Sequence, residues 1–250
     1  LYETADFNAL LNLHSRNYAG TASIFRANVF TKGSNDLNEN YDRDTVYYDA
    51  TVNNPQEYDS WGGSLKFDFM FDDMTLTSIS SYETASGFSQ SDVDGGTLEG
   101  PGFIPFPSST RDELKDLEQY TQEVRLASDT TDAFSWQVGG FYFDSTFGVN
   151  TIGGVIDPAL VYHGNTSWAV FGQGTYQIDE KWNVTAGIRY TDDEKTLSTT
   201  VPNNDPIKVT DDQISWELST NYRLTDKTSV FARIADGFRA QSIQGRNIAF

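Results

Sequence analysis

The chain has no cysteine, only two histidines and no long apolar run. Without cysteine, neither a disulfide framework nor a thiolate metal site can form. No stretch of about 18 apolar residues is present, so a transmembrane helix is excluded. His14 and His163 lie far apart in sequence, without a partner at ligand spacing. No phosphate loop, nucleophile elbow, dinucleotide fingerprint or zinc-protease motif appears, and we therefore expect no enzyme.

Basic residues are also few: 17 Lys and Arg stand against 36 Asp and Glu, which gives a formal net charge of −19. Such acidity argues against a nucleic-acid partner, because phosphates are repelled by an acidic surface. The mean hydropathy of −0.49 is that of a soluble protein. This average understates a membrane β-barrel, because a spanning strand needs only about 9–11 residues and only every second one must be apolar.

The two ends of the sequence carry few signals. The chain opens with LYETADFNAL, which has no initiator Met, basic segment or apolar segment, so we expect any signal peptide to lie outside it. It ends with QGRNIAF, and alternate residues counted back from Phe250 do not form an apolar strand face. We therefore expect the chain to be a fragment of a longer protein.

Apolar and polar residues alternate through most of the chain, most clearly between Ser167 and Asp193. This period of two predicts antiparallel strands, joined into hairpins by polar turns of three to five residues. Four hairpins are predicted: Ser64–Phe71 with Thr75–Gln90, Glu118–Ser128 with Phe134–Tyr142, Trp168–Ile178 with Trp182–Tyr190, and Ile214–Leu224 with Val230–Phe238. A less clear pair, Asp6–Leu13 and Thr21–Thr31, brings the prediction to nine or ten strands without a substantial helix.

The connections between hairpins are long and rich in Gly, Pro, Asn, Asp and Ser. They are Lys32–Ser60, Ser91–Lys115, Thr151–Asn165 and Thr199–Asp211. Short turns that alternate with long loops are typical of an all-β, antiparallel, up-and-down transmembrane β-barrel, whose turns are periplasmic and whose loops are extracellular. The apolar face then meets lipid and the polar face lines a lumen. A soluble β-sandwich has the same alternation, but arms of ten or more residues favour the barrel, because globular strands average about 5–6 residues.

Four segments carry a resemblance to a known family. They are QYTQEVRLAS (Gln119–Ser128), WQVGGFYF (Trp136–Phe143), AVFGQGTYQIDEKWNVTAGIRYTDDEK (Ala169–Lys195) and SVFARIADGFRAQSI (Ser229–Ile243). In this order they resemble strand signatures of the TonB-dependent outer-membrane receptors of Gram-negative bacteria. Together with the rhythm of turns and loops, the resemblance covers the chain from about Ser60.

The resemblance implies a 22-stranded barrel closed by an N-terminal plug domain. It implies energised import of a scarce nutrient, most often a ferric siderophore or another iron chelate, with the TonB–ExbB–ExbD complex as partner. Lipid and lipopolysaccharide of the outer membrane are the expected surroundings. No stretch reads as a plug or coupling motif, so we expect residues 1–250 to be part of the barrel domain, unable to transport alone. A passive porin-like or autotransporter-type barrel and a soluble, secreted β-sandwich binding module remain alternatives.

Aromatic residues on the predicted loops are candidate ligand contacts, because their rings stack on a ligand while polar groups orient it. The loop between Gly33 and Asp59 has seven acidic residues and one basic residue, which disfavours an anionic ferric siderophore and suits a cationic or neutral ligand. Proline stiffens the segment GPGFIPFPSS of another loop. The candidates are Tyr41, Tyr47, Tyr48, Phe103, Phe106 and His163; the alternative is that these are solvated surface loops.

Charged residues of both signs occur on the predicted polar face, where a buried charge needs a partner. We expect them to pair across strands or to contact the plug. The lumen-lining candidates are Arg125, Arg189, Glu217, Arg233 and Arg239. No resident cofactor or metal is expected: Asp92 and Asp94 precede glycines as in a calcium loop, but the Glu of that motif is missing and an acidic turn is the favoured interpretation.

Overall fold

The computed structural model describes residues 1–47, 54–92, 109–128, 133–153, 159–200 and 206–243. Within these ranges ten strands form a single antiparallel sheet, in which each strand pairs with the next along the chain. The strands are β1 Tyr2–Glu3, β2 Phe7–Thr21, β3 Pro55–Phe71, β4 Met74–Asp92, β5 Ser109–Ser128, β6 Phe134–Gly153, β7 Ala159–Asp179, β8 Trp182–Thr199, β9 Ile207–Thr225 and β10 Thr228–Asp236. The predicted all-β, up-and-down architecture is confirmed, and the sheet is open in the described part of the chain. No helix in these ranges is long and apolar enough to cross a membrane.

The tight turns lie at one end of the sheet, where consecutive strands are joined. Polar side chains at the strand ends stabilise these turns. The carboxylate of Asp179 accepts a hydrogen bond from the backbone N–H of Lys181 at 2.7 Å. The hydroxyl of Thr225 accepts one from the N–H of Lys227 at 3.2 Å. Such bonds from a side chain to the backbone two residues on stabilise a reversal of the chain. The strand ends that the long connections join consequently all lie at the opposite end of the sheet.

Most strands are longer than the predicted hairpin arms, and β7 reaches 21 residues. β5 begins at Ser109 and β7 at Ala159, so parts of the predicted loops Ser91–Lys115 and Thr151–Asn165 are strand and those loop bounds are wrong. Parts of these extensions are polar on both faces, as in the stretches from Ser109 to Glu113 and from Asn165 to Ser167. The part of a strand that lies outside an apolar environment needs no apolar face. The alternation of apolar and polar residues therefore does not reveal it.

The prediction of a strand at Thr21–Thr31 is wrong. β2 pairs with β3 along its whole length, with Thr21 opposite Pro55. Beyond β2 the chain folds back on itself: the side-chain N–H groups of Asn38 donate to the carbonyls of Asn28 and Phe30 at 2.9 and 3.0 Å. These bonds satisfy backbone groups that a strand ladder would otherwise pair.

The register separates the sheet into two chemically distinct faces. Val138, Gly172, Ile188 and Trp216 lie opposite one another on four successive strands and belong to what we name the apolar face. Val138 is 47% and Ile188 58% exposed. No second layer packs on the sheet among the described residues, so a β-sandwich is not formed. The opposite surface, which carries the polar residues of the alternation, is named the polar face.

Two belts of aromatic rings border the apolar face. Toward the long loops, Trp168 and Tyr190 are 5.4 Å apart between ring centroids, and this belt continues through Tyr142, Tyr120, Tyr82 and Trp61. Near the tight turns a second belt contains Tyr176, Trp182 and Tyr222. Trp168 and Tyr176 are eight residues apart on β7, which is about 26 Å along the strand and about 20 Å after a tilt of ~40°. This approaches the ~25 Å apolar band of outer-membrane barrels.

Candidate functional site

A ladder of polar side chains crosses the polar face near the turns. Arg233 on β10 donates to the carboxylate of Glu217 on β9 at 2.6 and 3.0 Å. Gln173 on β7 donates to the same carboxylate at 3.4 Å, and Gln137 on β6 donates to Gln173 at 3.2 Å. The ladder thus links five strands from β6 to β10, although β8 supplies only Gly187 to it.

Glycines on the polar face let side chains meet across an intervening strand. A Cβ atom at Gly187 would lie 3.4 Å from Glu217 and 3.7 Å from Gln173, so the missing side chain leaves room for their contact. Gly62 acts similarly between β2 and β4, where the imidazole of His14 lies 3.0 Å from the carboxylate of Glu83. A Cβ at Gly62 would come within 2.2 Å of that carboxylate. These glycines therefore permit polar contacts that span three strands.

Most cations of the polar face have a carboxylate within ion-pair distance. Lys66 and Asp68 are 2.8 Å apart on β3, and Arg125 and Glu123 are 3.3 Å apart on β5. Pairing along one strand is therefore common, whereas the sequence had suggested pairing across strands. The remaining pairs are His14 with Glu83, Lys195 with Asp193, and Arg233 with Glu217.

Arg189 on β8 has a different environment. Its guanidinium carbon lies 5.6 Å from the ring centroid of Phe171 and 5.8 Å from that of Phe141. Its Nε donates to the hydroxyl of Thr191 at 3.0 Å. No described carboxylate lies within ion-pair distance of it, although the side chain is half-buried. The structure thus places this cation beside two aromatic rings and beside none of the described carboxylates. Arg239 was expected on a strand; β10 ends before it, and it is exposed beyond the sheet.

The loop-side candidates are distributed unevenly. Arg26 lies over the ring of Tyr41 at 5.4 Å and donates to the carbonyl of Arg43 at 2.8 Å, so one face of Tyr41 is occupied. Tyr47 is 40% exposed on the same segment. The other loop candidates, Tyr48, Phe103 and Phe106, lie outside the described residues.

His163 lies on β7 beyond Trp168, on the loop side of the aromatic belt, and therefore outside the membrane-spanning part Trp168–Ile178. Its ring stacks on Phe147 with 4.8 Å between centroids and 13° between planes. Leu197, 5% exposed, lies opposite it on β8. Burial among these groups lowers the pKa of His163 and favours its neutral form. The surroundings suit packing or stacking better than contact with an anion.

The acidic stretch at the end of β4 is only partly described. Asp92 is 1% exposed, and its backbone N–H donates to the side-chain oxygen of Asn54 at 3.1 Å, while Asp94 lies outside the described residues. In the described ranges, no three His, Asp or Glu side chains are grouped so that they could hold a metal ion.

A one-layer sheet with an exposed apolar face, two aromatic belts and a hydrogen-bonded polar face is the wall of an outer-membrane β-barrel. Residues 2–250 match the family described as TonB dependent receptor-like, beta-barrel. The chain belongs to this family, whose members are outer-membrane proteins of Gram-negative bacteria and transporters rather than enzymes. The apolar face accordingly faces lipid and the polar face lines the lumen. A search of curated proteins gives no match.

Solved structures agree in fold. The chain is similar to the ferric yersiniabactin uptake receptor FyuA from Yersinia pestis, at 16% identity and a TM-score of 0.69, over 91% of this chain and 34% of that one. It is also similar to the ferric-catecholate import receptor Fiu from E. coli K12. The open form gives 12% identity and a TM-score of 0.63 over 92% and 44% of the two chains, and the closed form 14% and 0.62 over 92% and 41%. The chain thus spans less than half the length of these structures.

Sequence reasoning did not single out the partners that define this wall. Phe141 and Phe171 occupy positions where the alternation otherwise places polar residues, and they flank Arg189. The sequence signal that could have identified these two residues is an aromatic side chain at a position of the alternation that is otherwise polar. Gln137 and Gln173 stand at polar positions of the alternation, but their contact depends on register, which alternation alone does not provide.

Proposed function

We propose that the chain is a segment of a TonB-dependent receptor that takes up a metal chelate, a ferric siderophore or another iron complex, across the outer membrane. The observation that supports this most is the family match along residues 2–250. The printed functions of FyuA and Fiu, both iron-chelate receptors, agree with an iron complex as cargo. We further propose that residues 1–250 are part of one barrel domain, and that the plug and the segment that engages TonB–ExbB–ExbD belong to the longer protein.

The wall described here supplies three parts of that activity. Its apolar face holds the receptor in lipid. Its polar face carries charged side chains, such as Lys66 and Arg233, on which a plug and a passing ligand can form charged hydrogen bonds. Its loop edge carries exposed rings such as Tyr47, which suit stacking on a chelate. The acidity of the segment around Tyr41 favours a chelate that is neutral or cationic overall.

The test is uptake of ⁵⁵Fe by Gram-negative cells that lack their own iron receptors and produce the full receptor containing this chain. A neutral ferric tris-hydroxamate and an anionic ferric tris-catecholate are supplied separately, in strains with and without TonB. The proposal predicts saturable uptake of at least one chelate that requires both the receptor and TonB. Uptake that continues without TonB and rises linearly with concentration supports a passive porin instead, and absence of uptake of both chelates refutes a hydroxamate or catecholate iron complex as the cargo.

A further inference from the structure

Arg189 combines three features that no other described cation of the lumen wall combines. It is half-buried, it lies between two aromatic rings, and it has no described carboxylate within ion-pair distance. Arg16 on β2 and Arg223 on β9, the other described strand arginines on the lumen side without an ion pair, are both exposed, and Arg223 donates to the carbonyl of Glu180 at 2.9 Å. A half-buried guanidinium without an anion is costly, so an anionic group placed beside it is stabilised.

The surroundings fix the orientation of the guanidinium. Phe171 lies directly opposite Arg189 on β7, and Phe141 lies one strand further, opposite Ala169. Ala169, which is 2% exposed, leaves space above it for the two rings and the guanidinium to approach one another. Gly139 lies opposite Phe171, and a Cβ there would come within 2.6 Å of that ring. Small residues therefore place both rings where they hold the cation.

The hydrogen-bonding state of Arg189 indicates the ligand. Its Nε is used by Thr191, whereas its terminal Nη groups form no hydrogen bond within the described chain. Two terminal N–H groups form the planar fork that matches a carboxylate or another planar oxyanion. The flanking rings keep water away from the guanidinium. An arriving anion therefore displaces little bound water.

We propose that Arg189, held between Phe141 and Phe171, is an oxyanion-binding site of the lumen wall, specific for a carboxylate or a similar planar anion. The inference rests on the proposed function and extends it: a ligand that passes through the lumen, or a protein segment that occupies it, must carry a planar oxyanion. The oxyanion comes either from the chelate or from an Asp or Glu side chain of a protein segment inside the barrel. A chelate that is neutral overall but carries a carboxylate agrees both with Arg189 and with the acidic loop segment.

The first measurement is the rate at which phenylglyoxal modifies Arg189 in the purified full receptor, followed by peptide mass spectrometry. It is made without additions, with citrate, and with ferric citrate. Arg111 is the internal control: it also stacks on an aromatic ring, Phe88, at 3.5 Å, but it lies on the opposite side of the sheet. If the chelate is the source, citrate or ferric citrate slows the reaction at Arg189 and leaves that at Arg111 unchanged.

The second measurement compares R189Q, R189K and R111Q. If the chelate carries the oxyanion, R189Q weakens ferric citrate binding about 10- to 100-fold, the usual contribution of a hydrogen bond to a charged group, and R189K recovers only part of it. If a protein carboxylate is the source, Arg189 is unreactive without additions, and R189Q lowers the melting temperature more than R111Q does, although R111Q itself loses the ion pair of Arg111 with Glu113. Both results support the site.

The proposal is overturned if Arg189 reacts equally with and without the anions and R189Q matches R111Q in both affinity and melting temperature. Because the reaction with phenylglyoxal needs no transport, it reports on Arg189 even where the full receptor takes up no iron. Failure of the proposed function and failure of the oxyanion site are therefore distinguishable.

Discussion

A charge placed on the apolar face tests the assignment of the two faces most severely. Val138 and Gln137 are neighbours on β6 and point to opposite sides of the sheet. Val138 lies in the row of Ile188 and Gly172, between the two aromatic belts and hence near the middle of the bilayer. Gln137 belongs to the polar ladder of the lumen. The pair V138R and Q137R therefore differs chiefly in the side of the wall that receives the charge.

The expected costs differ by about 2 kcal/mol at the centres of their ranges, which is about 30-fold in the unfolding equilibrium. An arginine that faces lipid at mid-bilayer costs about 2–4 kcal/mol. At about 1.4 kcal/mol per factor of ten, the ratio of folded to unfolded receptor falls by about 30- to 700-fold. Q137R loses the hydrogen bond to Gln173, worth about 0.5–1.5 kcal/mol, and its charge stays in a hydrated, polar lumen.

The assay is reversible urea unfolding of the full receptor in phospholipid vesicles, followed by tryptophan fluorescence. The midpoint for V138R is expected well below that of the parent, and the midpoint for Q137R close to it. If Q137R costs as much as V138R, or more, then the assignment of the apolar face to lipid is refuted.

Three further predictions concern the polar face and the strand extensions. Gly139→Ala should lower the free energy of unfolding by about 1–3 kcal/mol, because the new Cβ would lie 2.8 Å from the carbonyl oxygen of Val124. Gly140→Ala is the control, since its Cβ meets only the carbonyl oxygen of Ala169 at 3.7 Å. Equal urea midpoints for the two variants would contradict this packing. E217Q should change the free energy of unfolding by only about 0–1 kcal/mol, because its ion pair with Arg233 is largely exposed on the arginine side; a loss of about 3 kcal/mol would indicate that the pair is buried in the full receptor. Burial lowers the pKa of His163, so the unfolded chain binds a proton at this residue more readily than the folded chain does. Stability should therefore fall as the pH drops below about 6.5, the ordinary histidine pKa, and H163F should reduce that fall. A pH profile of stability that is unchanged in H163F would refute the burial.

The strands could be predicted from the sequence in those parts where one face of the strand meets lipid. There every second residue must be apolar, and the arms from Trp168 to Ile178 and from Trp182 to Tyr190 were located on that basis. The extensions beyond the aromatic belt were read as loops, because water on both sides imposes no alternation. β5 from Ser109 is the clearest case.

The candidate site depends on information that alternation does not contain. The contact of Glu217 with Gln173 requires the register of three strands and a glycine in the middle one. The grouping of Arg189 with Phe141 likewise spans β6 to β8. Side chains from distant segments meet only once the pairing is fixed, and single-sequence patterns do not fix it.

The most direct test of the central claim, that this chain is a lipid-embedded barrel wall with its polar face toward a lumen, is a spin-label scan of β7 in the full receptor reconstituted in lipid. Each position from Val170 to Thr175 receives one spin-labelled cysteine, and collisions with oxygen and with a water-soluble nickel chelate are measured. The account predicts a period of two, with oxygen favoured at Val170, Gly172 and Gly174 and access to nickel favoured at the positions between them. Uniform access along the strand, or the opposite phase, would contradict it.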